Sequence, residues 1–193
     1  MTKSVLVTGA TGGLGLALTQ TFAAAGYTVT ATGRSLRHAK RFHDMNVRFI
    51  PADLTRAEVL PALCRGQDAV IHAAALSSSW GRPDDFSRIN VEATKNLAEA
   101  ARQAGARAFV FISSPSIMTA MHDQTGQTET PIGNHLPLND YARTKWQAEQ
   151  YILAADSESF RTIALRPRAL IGPDDQVLLP QILALIKKGR LPL

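Results

Sequence analysis

The strongest constraint on this chain sits in its first fifteen residues. The apolar run Val5, Leu6, Val7 passes straight into Gly9, Gly12, Gly13 and Gly15, and an amphipathic segment starts near Leu14. That order reads as strand, glycine turn, helix. A turn without side chains lets an anion reach the N-terminal amides of the helix, and the pyrophosphate of a dinucleotide is such an anion. The spacing is G-x-x-G-x-x-G and not G-x-G-x-x-G. On its own it also suits a turn that does no more than pack a helix closely on a strand, so the rest of the chain has to decide.

Leu14, Leu18, Phe22 and Ala25 recur at helical spacing and predict the buried face of a first helix closed by Gly26. Strands are expected over 28–32, 47–51, 69–75 (counting a small-residue exit), 108–112 and 162–165, with helices over 36–44, 86–104, 141–155 and 177–188. The strand–helix rhythm predicts an α/β fold, a parallel sheet covered on both faces. Ligands of such sheets bind at the carboxyl ends of the strands, and the glycines, alanines and serines of this chain fall there. After the second strand comes Gly33-Arg34-Ser35. An acidic residue there would take a ribose 2′-hydroxyl, whereas arginine suits a 2′-phosphate, so Arg34, with Arg37 behind it, tilts the reading to NADP over NAD. The plain alternative is a solvated arginine pair. Asp53, past the third strand, is placed either to accept from an adenine amino group or to cap a helix. His72 reads as a packed strand residue.

Other classes are poorly supported. The chain has 193 residues, 45% hydrophobic and 19% charged, which suits one folded domain with a sizeable core. Its formal charge of +5 is scattered and not set in a stripe with interleaved aromatics, which argues against nucleic acid. The single cysteine, Cys64, allows no intrachain disulfide, and no Cys/His cluster has metal-ligand spacing. No segment has the length and apolarity of a membrane span or the order of a signal peptide, so a cytoplasmic protein without membrane contact is expected.

Tyr141 and Lys145 stand four apart at the start of a helix and share one face. A neighbouring ammonium favours the phenolate of a tyrosine and brings its acid–base chemistry closer to neutral pH. Ser114, at the end of the fifth strand, is placed to hydrogen-bond the same substrate oxygen. These three groups suit redox chemistry on a hydroxyl/carbonyl pair beside a nicotinamide. A Y-x-x-x-K pair alone is also a common solvated helix pair.

Seven motifs follow one another: TGATGGLG at 8–15, Asp53-Leu54, HAAA at 72–75, Asn90-Val91, SSPS at 113–116, YARTK at 141–145 and LRPRALIGP at 165–173. In this order the chain resembles the extended short-chain dehydrogenase/reductases, the NAD-dependent epimerase/dehydratase group, and within it the 3β-hydroxysteroid dehydrogenase-like members. The resemblance implies a Rossmann-type doubly wound sheet. It makes Tyr141 the catalytic acid/base, Lys145 the residue that lowers its pKa and binds the nicotinamide ribose, and Ser114 the residue that orients the substrate oxygen. Asn90 would bend its helix and support a proton relay. Gly9, Thr11, Gly12, Gly13, Leu14 and Gly15 would hold the pyrophosphate, and Asp53 and Leu54 the adenine. Ala73, Ala74 and Ala75 would line the ribose region, and Pro167, Ala169 and Leu170 would border the nicotinamide.

The expected activity is an NAD(P)-dependent oxidoreductase acting on a small or steroid-like molecule. The alternatives are a nucleotide-sugar epimerase or dehydratase with retained NAD, and a non-catalytic NAD(P)-binding or sensing module. Members of the extended branch continue into a C-terminal substrate domain, so residues 1–173 are expected to form the dinucleotide-binding unit and 174–193 the start of an incomplete substrate region. The resemblance also implies a homodimer through the helices at 86–104 and 141–155. The loops at 77–85 and 115–137 are expected on the substrate side.

Overall fold

Six short apolar segments pair into one parallel sheet in a computed structural model that describes residues 3–78, 80–121, 125, 126, 128, 129, 137–172, 174, 175 and 178–190. The elements in chain order are β1 (Ser4–Thr8), α1 (Gly13–Ala24), β2 (Thr28–Gly33), α2 (Ala39–Asp44), β3 (Arg48–Pro51), α3 (Leu60–Cys64), β4 (Ala69–His72), α4 (Pro83–Phe86), α5 (Ala93–Gln103), β5 (Ala108–Ile112), α6 (Asp140–Ala154), β6 (Arg161–Leu165) and α7 (Leu178–Lys187). Single 3₁₀ turns at Ala57–Val59 and Pro115–Met118 and a π-helical turn at Ser87–Glu92 complete them.

The strand order is β3-β2-β1-β4-β5-β6, with every pairing parallel. The order reverses between β1 and β4, and a crevice opens at the carboxyl ends where the crossovers part to opposite faces. Alternation along β1 feeds two cores. Leu6 joins Val70, Phe109, Phe111 and Ile152 on one face, while Val5 and Val7 join Leu16, Val29, Phe42 and Ile71 on the other. Cys64 packs in the first of these, and burial pushes its thiol up to about 11. On the edge strand β6, Thr162 and Ala164 face α6, whereas Ile163 and Leu165 are exposed.

Several expectations need correction. The first helix buries Gly15, Leu16 and Thr19; Leu18 and Phe22 pack partly buried against the core as expected, Leu14 is half-buried, and Ala25 is exposed. The buried line is turned because Gly15 must sit against the backbone of Gly9, and the Thr19 hydroxyl satisfies itself on the Gly15 carbonyl at 2.7 Å. The second helix starts at Ala39 and not Leu36, whereas β4 ends at His72 and the three alanines form its exit as expected. The segment expected as one helix over 86–104 is α4, the π turn and α5 in succession. Much of the 115–137 loop lies outside the described residues, as does Pro173. Among the described residues no helix is long and apolar enough to cross a membrane, and no three His, Cys, Asp or Glu side chains gather as a metal site.

Candidate active site

A cleft of about 360 Å³ opens at the carboxyl ends of β1, β2 and β4. Its floor is the glycine turn. Gly9 has φ +67°, and a Cβ there would lie 2.7 Å from the Ala74 nitrogen. A Cβ on Gly15 would lie 2.1 Å from the Gly9 carbonyl oxygen, so these two glycines answer to the packing of β1, α1 and the β4 exit on one another. Gly12 differs. A Cβ there meets nothing in the chain closer than 3.4 Å, yet the residue lines the cleft. Its bareness leaves the first amides of α1 open to an anion, and no acidic residue stands in the first helical turn to repel one.

Gly9, Thr11 and Gly12 line the cleft with Ala73, Ala74 and Ala75 packed beside them, and Arg34, Asp53 and Leu54 line it as well. Thr55, Ser35 and Arg37 join them, as do Ile89 of the π turn and Ala93 of α5. Ile89 and Ala93 carried no local sequence signal, since only the tertiary path of their helix brings them there. Asp53 is not an α-helix cap: its Oδ1 accepts from the Thr55 amide at 3.0 Å and the Thr55 hydroxyl at 2.9 Å, a turn of its own. The Thr55 amide holds its carboxyl below the usual range, with Arg34 and Arg88 adding to this.

The other expected cofactor residues lie elsewhere. Gly15 is buried beneath the turn, Gly13 and Leu14 are half-buried on α1, and Ala169 and Leu170 are exposed beyond β6 with Pro167 half-buried before them. None of these six lines the cleft.

The second half of the site is built where α6 meets the end of β5. Asn139 caps α6 by accepting from the Ala142 amide at 2.8 Å, so Tyr141 and Lys145 fall in its first turns on one face. Lys145 is 2% exposed; its Nζ donates to the Ile112 carbonyl at 2.5 Å and stands 4.0 Å over the Phe111 ring. Burial pushes its ammonium down to about 7, and Glu149 partly opposes the shift. Tyr141 is half-buried. Ser114 follows β5 by two residues, and its Oγ accepts from the Ser116 amide at 3.2 Å and shares a hydrogen with the Ser116 hydroxyl at 2.8 Å.

Two buried polar groups tie the halves together. Asn90, 2% exposed in the π turn, accepts from the Leu76 amide at 2.7 Å and donates to the Leu76 carbonyl and to Thr144 of α6, each at 3.2 Å. It fixes the β4 exit to the helix of Tyr141. His72 bridges Thr8 and Thr94 at 2.7 and 2.9 Å, and burial followed by the Lys145 charge pushes it down to about 3, so it is a neutral packing residue.

The sequence matches the model of the family described as "NAD dependent epimerase/dehydratase family" over residues 5–193. It is 38% identical over 192 residues to a 2-alkyl-3-oxoalkanoate reductase of Stenotrophomonas maltophilia, covering 98% of this chain and 57% of that enzyme. It is 30% identical over 192 residues to the human decarboxylating sterol-4-alpha-carboxylate 3-dehydrogenase, covering 98% of this chain and 50% of that one. Among solved structures it is similar to MoeE5 in complex with UDP-glucose and NAD, with TM-score 0.77 and 32% identity over 90% of this chain and 56% of that one. The chain thus spans about half the length of the relatives it matches.

Proposed function

The chain belongs to the NAD-dependent epimerase/dehydratase family of short-chain dehydrogenase-type enzymes, and we propose that it interconverts a hydroxyl and a carbonyl on an apolar substrate with Tyr141 as acid/base. The observation that carries this reading is the buried Lys145 ammonium one turn from Tyr141, docked on the strand end that leads to Ser114. The Ser114 hydroxyl holds the substrate oxygen toward Tyr141. Asn90 keeps the α6 face and the β4 exit in register.

The cleft suits the adenosine and pyrophosphate end of a dinucleotide. Gly12 and the open start of α1 would receive the pyrophosphate, and Asp53 and Leu54 the adenine. When bound, the nicotinamide supplies the two-electron redox capacity that the protein side chains lack. Arg34 and Arg37 at the β2 exit favour the 2′-phosphorylated cofactor, so NADP is the proposed preference within an NAD-dependent family.

The substrate class follows the names of the relatives. A 3-oxoalkanoate and a 3-hydroxysterol 4-carboxylate share a redox carbon placed β to a carboxylate on an apolar body. A β-oxo acid with an alkyl branch is therefore the substrate to test first. The MoeE5 complex supports a second reading, chemistry on a nucleotide sugar with retained NAD. The test is turnover of Tyr141→Phe against wild type, with cofactor affinity measured alongside. Loss of turnover with affinity within a few-fold is expected; undiminished turnover refutes the role of Tyr141.

A further inference from the structure

One turn beyond Lys145, on the same face of α6, Glu149 is wholly buried and paired with Arg166, the first residue after β6. The pairing is a fork: Arg166 Nε donates to Oε2 at 3.1 Å and Nη2 donates to Oε1. The third guanidinium nitrogen, Nη1, faces the Met118 sulfur at 3.3 Å. Met118 closes the 3₁₀ turn that begins at Ser114. One arginine therefore touches the helix of Tyr141 and Lys145, the turn of Ser114 and the strand exit that runs on to Pro167.

Stability alone does not account for this arrangement. Apolar side chains of similar volume commonly stabilise such a position as well as or better than a buried ion pair. The pair's use lies in geometry and charge. We propose, on the oxidoreductase reading above, that Glu149 and Arg166 are positioning residues: the fork locks the three site-forming segments together, and its carboxylate is the counter-charge for the buried Lys145 ammonium.

Among the described residues, the surroundings of Lys145 leave that duty to Glu149. From α6 it feels the charge of Glu149, and from β4 it meets His72, which is neutral. β5 offers the Ile112 carbonyl and the Phe111 ring, neither of them charged. Beyond β6 stands the cation Arg166, which Glu149 holds and Glu129 also attracts. Removing the Glu149 charge deprives Lys145 of its anion and leaves the Arg166 cation without its forked partner. Both effects favour neutral Lys145.

The test is a titration of Lys145 by NMR of side-chain-labelled lysine in the full chain, assigned with Lys145→Met, for wild type, Glu149→Gln and Arg166→Lys. Glu149→Gln is expected to lower the Lys145 midpoint by about one pH unit. The alkaline limb of the turnover profile should fall with it. Arg166→Lys keeps the charge and loses the fork, so the midpoint should hold while kcat drops on the order of 10-fold. A folded Glu149→Gln protein with an unmoved Lys145 midpoint overturns the counter-charge. Unchanged kcat in Arg166→Lys overturns the positioning role. Should Glu149→Gln fail to fold, the apolar pair Glu149→Met/Arg166→Met carries the same titration, with a lowered midpoint expected and an unmoved one fatal. A wild type that titrates as described but turns over no substrate counts against the oxidoreductase reading, and the NMR result still decides this proposal.

Discussion

Replacing Lys145 by Met should separate stability from function, because the residue carries its charge where the fold disfavours it. Lys145 is 2% exposed and burial lowers its ammonium from 10.5 to about 7. The unfolded chain holds that proton up to its ordinary pKa, whereas the folded chain releases it near 7. Between those values the unfolded state binds more protons, so stability rises with pH across that window. At about 1.4 kcal/mol per pH unit, wild type should gain roughly 2.5 kcal/mol between pH 6 and pH 9 from this group alone. The Met variant lacks the group and should not show that gain. Urea unfolding of both proteins at the two pH values measures the difference directly, since other titrating groups are shared and cancel. The variant should also lose turnover, a trade of activity for stability. A wild-type-minus-variant difference that stays flat with pH would refute the buried-cation argument.

The glycines of the turn should divide by role. Gly15→Ala places a carbon 2.1 Å from the Gly9 carbonyl oxygen and should cost about 3 kcal/mol or more in unfolding experiments. Gly12→Ala meets only ordinary contacts, so its melting should match wild type while dinucleotide affinity, read by fluorescence titration, falls at least about 10-fold. Arg34→Asp should shift the ratio of NADP to NAD efficiency toward NAD; an unchanged ratio removes Arg34 from cofactor choice.

The parallel sheet and the order of its elements were legible because most strands are short apolar runs and several helices end at glycine. The motifs at Gly9, Asp53, Ala73, Ser114 and Tyr141 were legible for a related reason: bare backbone or a fixed helical spacing is itself the signal. What escaped was tertiary. The burial of Thr19 in place of Ala25 depends on the close seat of Gly15 on Gly9, which hydrophobic spacing does not record. The π turn around Asn90 arises because its side chain is held to the Leu76 backbone, fourteen residues away. Ile89 in that turn and Ala93 just after it line the cleft without any local signal. Glu149 and Arg166 look like ordinary surface charges in sequence, and only the packing of α6 on β6 buries them together.

The central claim is that this chain moves hydride between a dinucleotide and a substrate carbon while Tyr141 handles the proton. Incubation with NADPH deuterated at the nicotinamide C4 and a 2-alkyl-3-oxoalkanoate, followed by mass spectrometry of the product, tests it most directly. The account predicts a 3-hydroxy product carrying the label on its carbinol carbon, formed by wild type and not by Tyr141→Phe. Product whose hydrogen comes from solvent, or label transfer that persists undiminished in Tyr141→Phe, would contradict it.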